Sequence, residues 1–275
     1  MDWGLDGRVV VVTGAGRGIG RTIAERFVAE RAVVVALDVD EASVSGFPDD
    51  GGAAGLACDV RDTASVRSAI DGVAERFGGI DVVVNNAGIN VVGAIEELDD
   101  DAWQRCFDVN VAGVFRVCRA AIPHLKRSPH GRIINAASFA AIVPIVGSAA
   151  YAASKAAVVQ LTRVLAGELG PWGVTANAYA PGMVPTAMNG FAELPEDAQS
   201  QLLDTLTLRR WGDAAEVADL VLFLASDASR YITGTLLDVS GGKLATQIPS
   251  RAYERAAADD PGHEPSADFQ EPPLH

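Results

Sequence analysis

The chain has 275 residues, 49% of them hydrophobic and 21% charged. That is enough apolar material for one large α/β domain with a substantial core, and too much for a disordered chain. Acidic residues number 36 against 22 basic ones, a formal net charge of −14, which argues against a nucleic-acid or anionic-membrane surface because phosphate binding needs clustered Lys and Arg. Cys58, Cys106 and Cys118 form no C-x-x-C pair and stand near no histidine, so they are expected as reduced, buried thiols of a cytoplasmic protein with no metal site.

The chain starts without a basic segment followed by an apolar one, and its richest apolar run, Ala136 to Ala153, is broken by Ser138, Pro144, Gly147 and Ser148. Neither a secretory signal nor a membrane span is expected. Arg8 to Thr13 is a β-branched run with the look of a strand buried on both faces. It leads into Gly14-Ala-Gly-Arg17-Gly18-Ile19-Gly20 and then a helical pattern from Arg21 to Arg31. Glycines in a strand-turn-helix setting let the backbone approach a pyrophosphate, whose charge the free amides at the helix N-terminus stabilise. Ala32 to Asp38 reads as a second buried strand ending in a carboxylate, placed about 20 residues on, where an acid meets the adenine ribose hydroxyls. Asp38 would repel a 2′-phosphate, so NAD is expected over NADP, although Arg17 offers a guanidinium that pairs well with such a phosphate.

Strands and helices then alternate. Strands are expected at Gly55 to Cys58, Ile80 to Val84, Arg132 to Ala137, Val174 to Ala180 and Thr235 to Val239; helices at Thr63 to Phe77, Asp100 to Lys126, about Ala150 to Gly170, and Asp213 to Ser226 with Asp213 as cap. Such alternation predicts a single Rossmann-type, doubly wound parallel sheet flanked by helices on both faces, spanning residues 1–247, with ligands at the carboxyl ends of the strands. The polar stretch 183–212 is expected as an irregular lid over the substrate. From 248 to 275 the composition turns acidic and Pro-rich, which fits a disordered tail or an ordered arm anchored on a neighbouring subunit by Tyr253 and Phe269.

The centre of the chemistry is expected at Ser138, Tyr151 and Lys155. Tyr151 and Lys155 are four apart on a helix and therefore share a face. A cation beside a phenol, which normally titrates near ~10, favours the phenolate and fits Tyr151 for proton transfer. Ser138 ends the strand-like run from Arg132, where its hydroxyl can meet a substrate oxygen.

Together these residues resemble the short-chain dehydrogenase/reductase family over roughly Leu5 to Leu244. Thr13-Gly14-x-x-x-Gly18-x-Gly20 matches its cofactor turn, Asn85-Asn86-Ala87-Gly88 its motif after the fourth strand, Pro181-Gly182 its loop after the sixth, and Ser138, Tyr151, Lys155 and Asn110 its catalytic set. The resemblance implies that Asp59 and Val60 flank the adenine, that Asn86 to Gly88 line the cofactor, and that Val184 and Thr186 lie beside the nicotinamide. It further implies that Lys155 binds the nicotinamide ribose, that Asn110 holds a water in a proton relay, and that the protein is a homotetramer or homodimer. The expected activity is NAD-dependent interconversion of a secondary alcohol and a ketone. A free small substrate, such as a cyclic alcohol, polyol or sugar, is favoured because Gly167-Glu-Leu-Gly-Pro-Trp172 carries no basic patch for an acidic carrier protein. The alternatives are 3-oxoacyl-carrier-protein reduction and a non-catalytic nucleotide sensor.

Overall fold

The computed structural model describes residues 3–47, 52–243 and 245–259. Seven parallel strands form one sheet in the order β3-β2-β1-β4-β5-β6-β7. They are β1 Val9–Thr13, β2 Val33–Asp38, β3 Ala53–Ala57, β4 Val82–Asn85, β5 Arg132–Ala136, β6 Thr175–Pro181 and β7 Leu236–Val239. The helices are α1 Gly18–Ala29, α2 Glu41–Val44, α3 Thr63–Phe77, α4 Asp100–Phe107, α5 Gly113–Leu125, α6 Ala149–Leu169, α7 Glu196–Leu203, α8 Ala214–Ala225 and α9 Ser250–Asp259.

Alternating strand residues feed two separate cores, because successive side chains leave opposite faces of a sheet. Val10, Val12, Val34 and Val84 pack with Ile23 and Phe27 of α1 and Val217, Val221 and Leu224 of α8. Val9, Val11, Val35 and Val83 face the other way, onto Ile70 of α3, Val117 of α5 and Val158 of α6. A strand buried on both faces has no polar positions to alternate with, which is why β1 reads Val-Val-Val-Val. Asp62 caps α3 by accepting from Ala64 N at 2.8 Å, and Asp213 and Glu216 form a capping box on α8.

Three expectations change. The single helix expected over Asp100 to Lys126 is two helices joined by a π-helical turn, Asp108–Ala112; one i→i+5 turn adds a single residue to an otherwise helical run, which composition does not announce. The polar 183–212 stretch is not wholly irregular but contains α7 and a 3₁₀ turn, Phe191–Glu193. At the start of the tail, where the sequence allows a turn or two of helix around Arg251 to Ala258, α9 forms, and Tyr253, expected as an anchor on a neighbouring subunit, donates to Thr207 O of its own chain at 2.8 Å. Phe269 lies outside the described residues.

Candidate active site

Strand order reverses between β1 and β4, whose chains leave in opposite directions from the carboxyl edge and open a crevice there. A cavity of about 490 Å³ occupies it. Every cofactor-side residue expected from the sequence, from Gly14 to Thr186, lines this one cavity, together with Ser138, Tyr151 and Lys155. Asn110 does not reach it; it is fully buried behind the wall.

The turn after β1 is built for close approach. Gly14 has φ +64°, and a Cβ there would stand 2.7 Å from Ala87 Cα. A Cβ on Gly20 would meet Gly14 O at 2.1 Å and Asn86 Nδ2 at 2.3 Å. Asn86 itself donates to Gly14 O at 3.1 Å and accepts from the buried Tyr179 hydroxyl at 3.1 Å, while Thr13 Oγ1 accepts from the amides of Asn86 and Ala87. The Asn-Asn-Ala-Gly run therefore pins the end of β4 to the glycine turn. Arg17, the residue before α1, makes no side-chain cap, which leaves the first-turn amides of the helix open toward an anion.

At the end of β2, Asp38 accepts from Gly16 N at 2.9 Å and Asp40 N at 3.1 Å, one bond on each oxygen. A carboxylate has about four acceptor sites, so capacity for two hydroxyls remains. Asp59, at the next crossover, is taken up by Arg61, whose Nη2 donates to Oδ2 at 2.7 Å and whose guanidinium holds the carboxyl below its usual range. Asp59 and Val60 thus line the cavity with the Asp59 charge already matched. Arg61 was not among the residues expected; a lone exposed arginine in a loop carries no signal of its own. Thr186 arrives from the far side, its methyl 3.7 Å from where a Cβ on Gly18 would lie, and Ala187, Met188 and Asn189 follow it along the cavity wall.

At the other end, Tyr151 and Lys155 share one face of α6. Lys155 is buried and donates from Nζ to Ala136 O at 2.8 Å, with Nζ 5.7 Å from the Tyr151 ring centre. Burial draws the Lys155 pKa down to about 8. Burial pushes the Tyr151 phenol above its ordinary value, and a hydrogen bond with Ser138 opposes that push. The protein groups alone therefore do not lower the phenol through Lys155 as the spacing suggests, because the ammonium is turned onto the β5 carbonyl. Ser138 has extended backbone and accepts from Ala140 N at 3.1 Å, which fixes its hydroxyl at the cavity wall.

The Asn110 side chain bridges two elements of the site. Oδ1 accepts from Ile89 N at 2.8 Å, and Nδ2 donates to Ile89 O at 2.9 Å and Ser154 Oγ at 3.0 Å. Ser154 in turn donates to Tyr151 O at 2.7 Å. Both amide protons are used, so the side chain ties the loop after β4 to the Tyr151 turn of α6. The π turn carries Asn110 inward to make these bonds.

A second cavity, about 130 Å³, adjoins the first through Ser138, Tyr151, Pro181, Gly182, Met188 and Asn189. Its remaining wall includes Asn90, Phe139, Ile145, Ser148, Phe191 and Lys243.

A parallel sheet of this order, a glycine turn at the reversal and a Ser, Tyr and Lys on one cavity define a dinucleotide-dependent oxidoreductase. The chain belongs to the short-chain dehydrogenase/reductase family, whose chemistry runs through a nicotinamide cofactor: the family described as enoyl-(acyl carrier protein) reductase matches residues 14–243. It is 38% identical to the 3-oxoacyl-[acyl-carrier-protein] reductase FabG of Salmonella typhimurium over 86% of this chain and 98% of that one. It is 41% identical to the short-chain reductase protein NovJ of Streptomyces niveus over 86% and 93%. Among solved structures, the aldohexose dehydrogenase AldT of Thermoplasma acidophilum matches with a TM-score of 0.81 at 34% identity, over 90% of this chain and 98% of that one.

Proposed function

We propose that this chain interconverts a small secondary alcohol and its ketone, with NAD as the preferred cofactor and Ser138, Tyr151 and Lys155 as the groups that act on substrate and cofactor. The observation that carries the reading is the shared cavity, with the glycine turn at one end and Tyr151 at the other. Its about 490 Å³ falls within the range of ~300–1,000 Å³ for organic-ligand sites, and the open amides of α1, the tight Gly14 turn and Asp38 fit a dinucleotide. When bound, the nicotinamide supplies the hydride acceptor or donor.

The chain's own residues do the rest. In oxidation, Tyr151 takes the hydroxyl proton of the alcohol, and in reduction it returns a proton to the ketone oxygen. Ser138 hydrogen-bonds the same oxygen and keeps it near the phenol. Lys155, held on Ala136 O, presents its remaining donors to the nicotinamide ribose. Asn110 positions Tyr151 through Ser154. Asp38 favours NAD, since a 2′-phosphate would bring like charge onto a carboxylate whose two backbone bonds hold it in place.

A small substrate is supported by the second cavity, whose about 130 Å³ is well below the ~300 Å³ at which drug-sized sites begin. One argument from the sequence falls away. The end of α6 leads into the start of β6, at the opposite edge of the sheet from the cavity, and there Lys126 Nζ sits 3.5 Å from the Trp172 ring centre. The composition of Gly167 to Trp172 therefore says nothing about carrier docking beside the site. Reduction of a carrier-linked 3-oxoacyl thioester stands as a second reading, supported by the likeness to FabG along nearly all of that protein's length.

Assembly as a homotetramer or homodimer is supported by the outward side of α4 to α6. Trp103, Phe115 and Val164 are 40–54% exposed, and the small residues Ala153, Ala156 and Gly167 are exposed too, so this Ala-rich face is not used inside the subunit.

The deciding experiment is NAD⁺- and NADP⁺-linked oxidation of a panel of small hydroxy acids, cyclic alcohols, polyols, sugars and 3-hydroxyacyl thioesters, with Tyr151→Phe in parallel. NAD⁺-linked turnover of a small alcohol is expected, with a loss of about 10²–10⁴-fold in Tyr151→Phe, the usual worth of a positioned acid or base. Turnover of the thioesters alone would replace the small-substrate reading, and full activity in Tyr151→Phe would remove the assigned mechanism.

A further inference from the structure

The substrate-side cavity holds a cation that the proposed reaction leaves unused. Lys243 follows β7 through Gly241 and Gly242, and its side chain lines the wall with Ser138, Phe139 and Tyr151. The side chain is half-buried. Its ammonium donates to Thr205 Oγ1 at 3.1 Å, touches Met183 Sδ at 3.8 Å and stands 5.3 Å from the Phe139 ring centre. Among the described residues no carboxylate pairs with it, and burial alone pulls its pKa below the ordinary lysine value.

An ammonium has three donors and no acceptor. One is used on a hydroxyl, and a thioether sulfur is a weak acceptor, so a strong donor is left facing the cavity. Holding a cation partly out of water without a counter-charge is unfavourable, and in a chain of net charge −14 carboxylates to pair with it are plentiful. Among the described residues none is placed there. The position also matters: Gly241 O accepts from Leu208 N at 3.0 Å and Gly242 O from Thr207 Oγ1 at 2.8 Å, so the lysine backbone and the end of the 183–212 segment are fastened together beside the reacting oxygen.

We propose that Lys243 is the anion-recognition residue of the substrate pocket, and that the substrate is a small ketone or secondary alcohol that carries a carboxylate. This rests on the reading that the cavity next to Tyr151 receives the reacting alcohol. A carboxylate is favoured over a phosphate because a single ammonium offers one point charge, whereas a phosphate ester in so small a cavity calls for a fork or several cations. Neutral polyols and cyclic alcohols leave the charge unmatched.

The test separates binding from turnover. Butanoate and butanamide, equal in size and different in charge, are titrated calorimetrically into the full-length protein with and without NADH, for wild type, Lys243→Met and Lys243→Arg. Butanoate is expected to bind wild type about tenfold more tightly than butanamide, the scale of a charge-assisted hydrogen bond. Lys243→Met should abolish that preference and Lys243→Arg, which keeps the charge, should retain most of it; the arginine variant also shows that substitution here leaves the protein folded. In turnover, the kcat/KM ratio of 3-hydroxybutanoate to its methyl ester should fall at least about tenfold in Lys243→Met. Equal binding of acid and amide by wild type, or an unchanged preference in Lys243→Met, overturns the inference. A carboxylate preference without oxidation of any alcohol would instead sink the proposed reaction and leave the anion site standing.

Discussion

Tyr151 and Lys155 are driven apart in proton affinity by the same force acting on opposite charges. Burial disfavours an anion and a cation alike, so it pushes the phenol up and the ammonium down, the latter to about 8. The group that titrates at about 8 is therefore Lys155, while the phenol titrates above its ordinary range. Lys155 loses its charge as pH rises through about 8, so the part of kcat/KM that rests on that charge should fall over this limb in both directions. Replacing Lys155 by arginine, which does not titrate in this range, should move the inflection upward. Profiles flat across this region would show that the Lys155 charge is not needed. Ser138, Tyr151 and Lys155 were legible as types at spacings, and Asn110 only through the family resemblance. Their bonds were not: that Lys155 turns to Ala136 O and that Asn110 spends its amide on Ile89 and Ser154 depends on which backbone groups arrive beside them.

The β1-turn-α1 unit shows how far an element can be read from a short run of residues. Buried strand, glycines and helix N-terminus are all written locally, because each is a property of backbone dihedrals and nearest neighbours. The consequence of one methyl depends on surroundings. Gly20→Ala places a Cβ against Gly14 O and Asn86 Nδ2, and should cost about 1–3 kcal/mol, the scale of overpacking, while weakening NADH binding at least tenfold. Gly72→Ala, on the exposed face of α3 with nothing within 4 Å, should stabilise by about 0.5–1 kcal/mol through helix propensity. Urea melts and NADH titrations of both variants check this; the same sign for the two would mean that the turn tolerates a side chain. The π turn at Asp108–Ala112, helix α7 and the short helix α2 were among the elements missed. The first is hidden because a single i→i+5 turn sits inside an otherwise helical run, the other two by polar surfaces that read as loop.

For the whole molecule, the C-terminal segment is joined to the substrate side. Tyr253 on α9 bonds Thr207 O, Thr207 Oγ1 bonds Gly242 O, and Lys243 reaches Thr205. Three contacts thus bind the last part of the 183–212 segment to residues that follow β7. Removing Pro249 to His275 should raise KM for the substrate severalfold with little change in Kd for NADH, and Tyr253→Phe should reproduce part of the effect; sedimentation of both variants reads assembly separately. An unchanged KM in both would make α9 a passive appendage, and a change in subunit number alone would assign the segment to assembly.

What the sequence by itself determined is the scaffold and the list of its chemical groups. Strand-helix alternation, period-free valine runs, the glycine turn and the placement of Gly14, Asp38, Asn86, Ser138 and Pro181 at strand ends all follow from local periodicity, and a parallel α/β sheet gathers strand ends on one edge whatever the rest of the chain does. What only the tertiary structure decided is what each group faces. Lys243 looks like an ordinary surface lysine until the loop after β7 folds over Phe139, and the end of α6 looks adjacent to its catalytic start until the helix is seen to carry it to the far edge of the sheet. Burial and partner choice arise from contacts between residues distant in sequence, and no spacing rule along the chain encodes them.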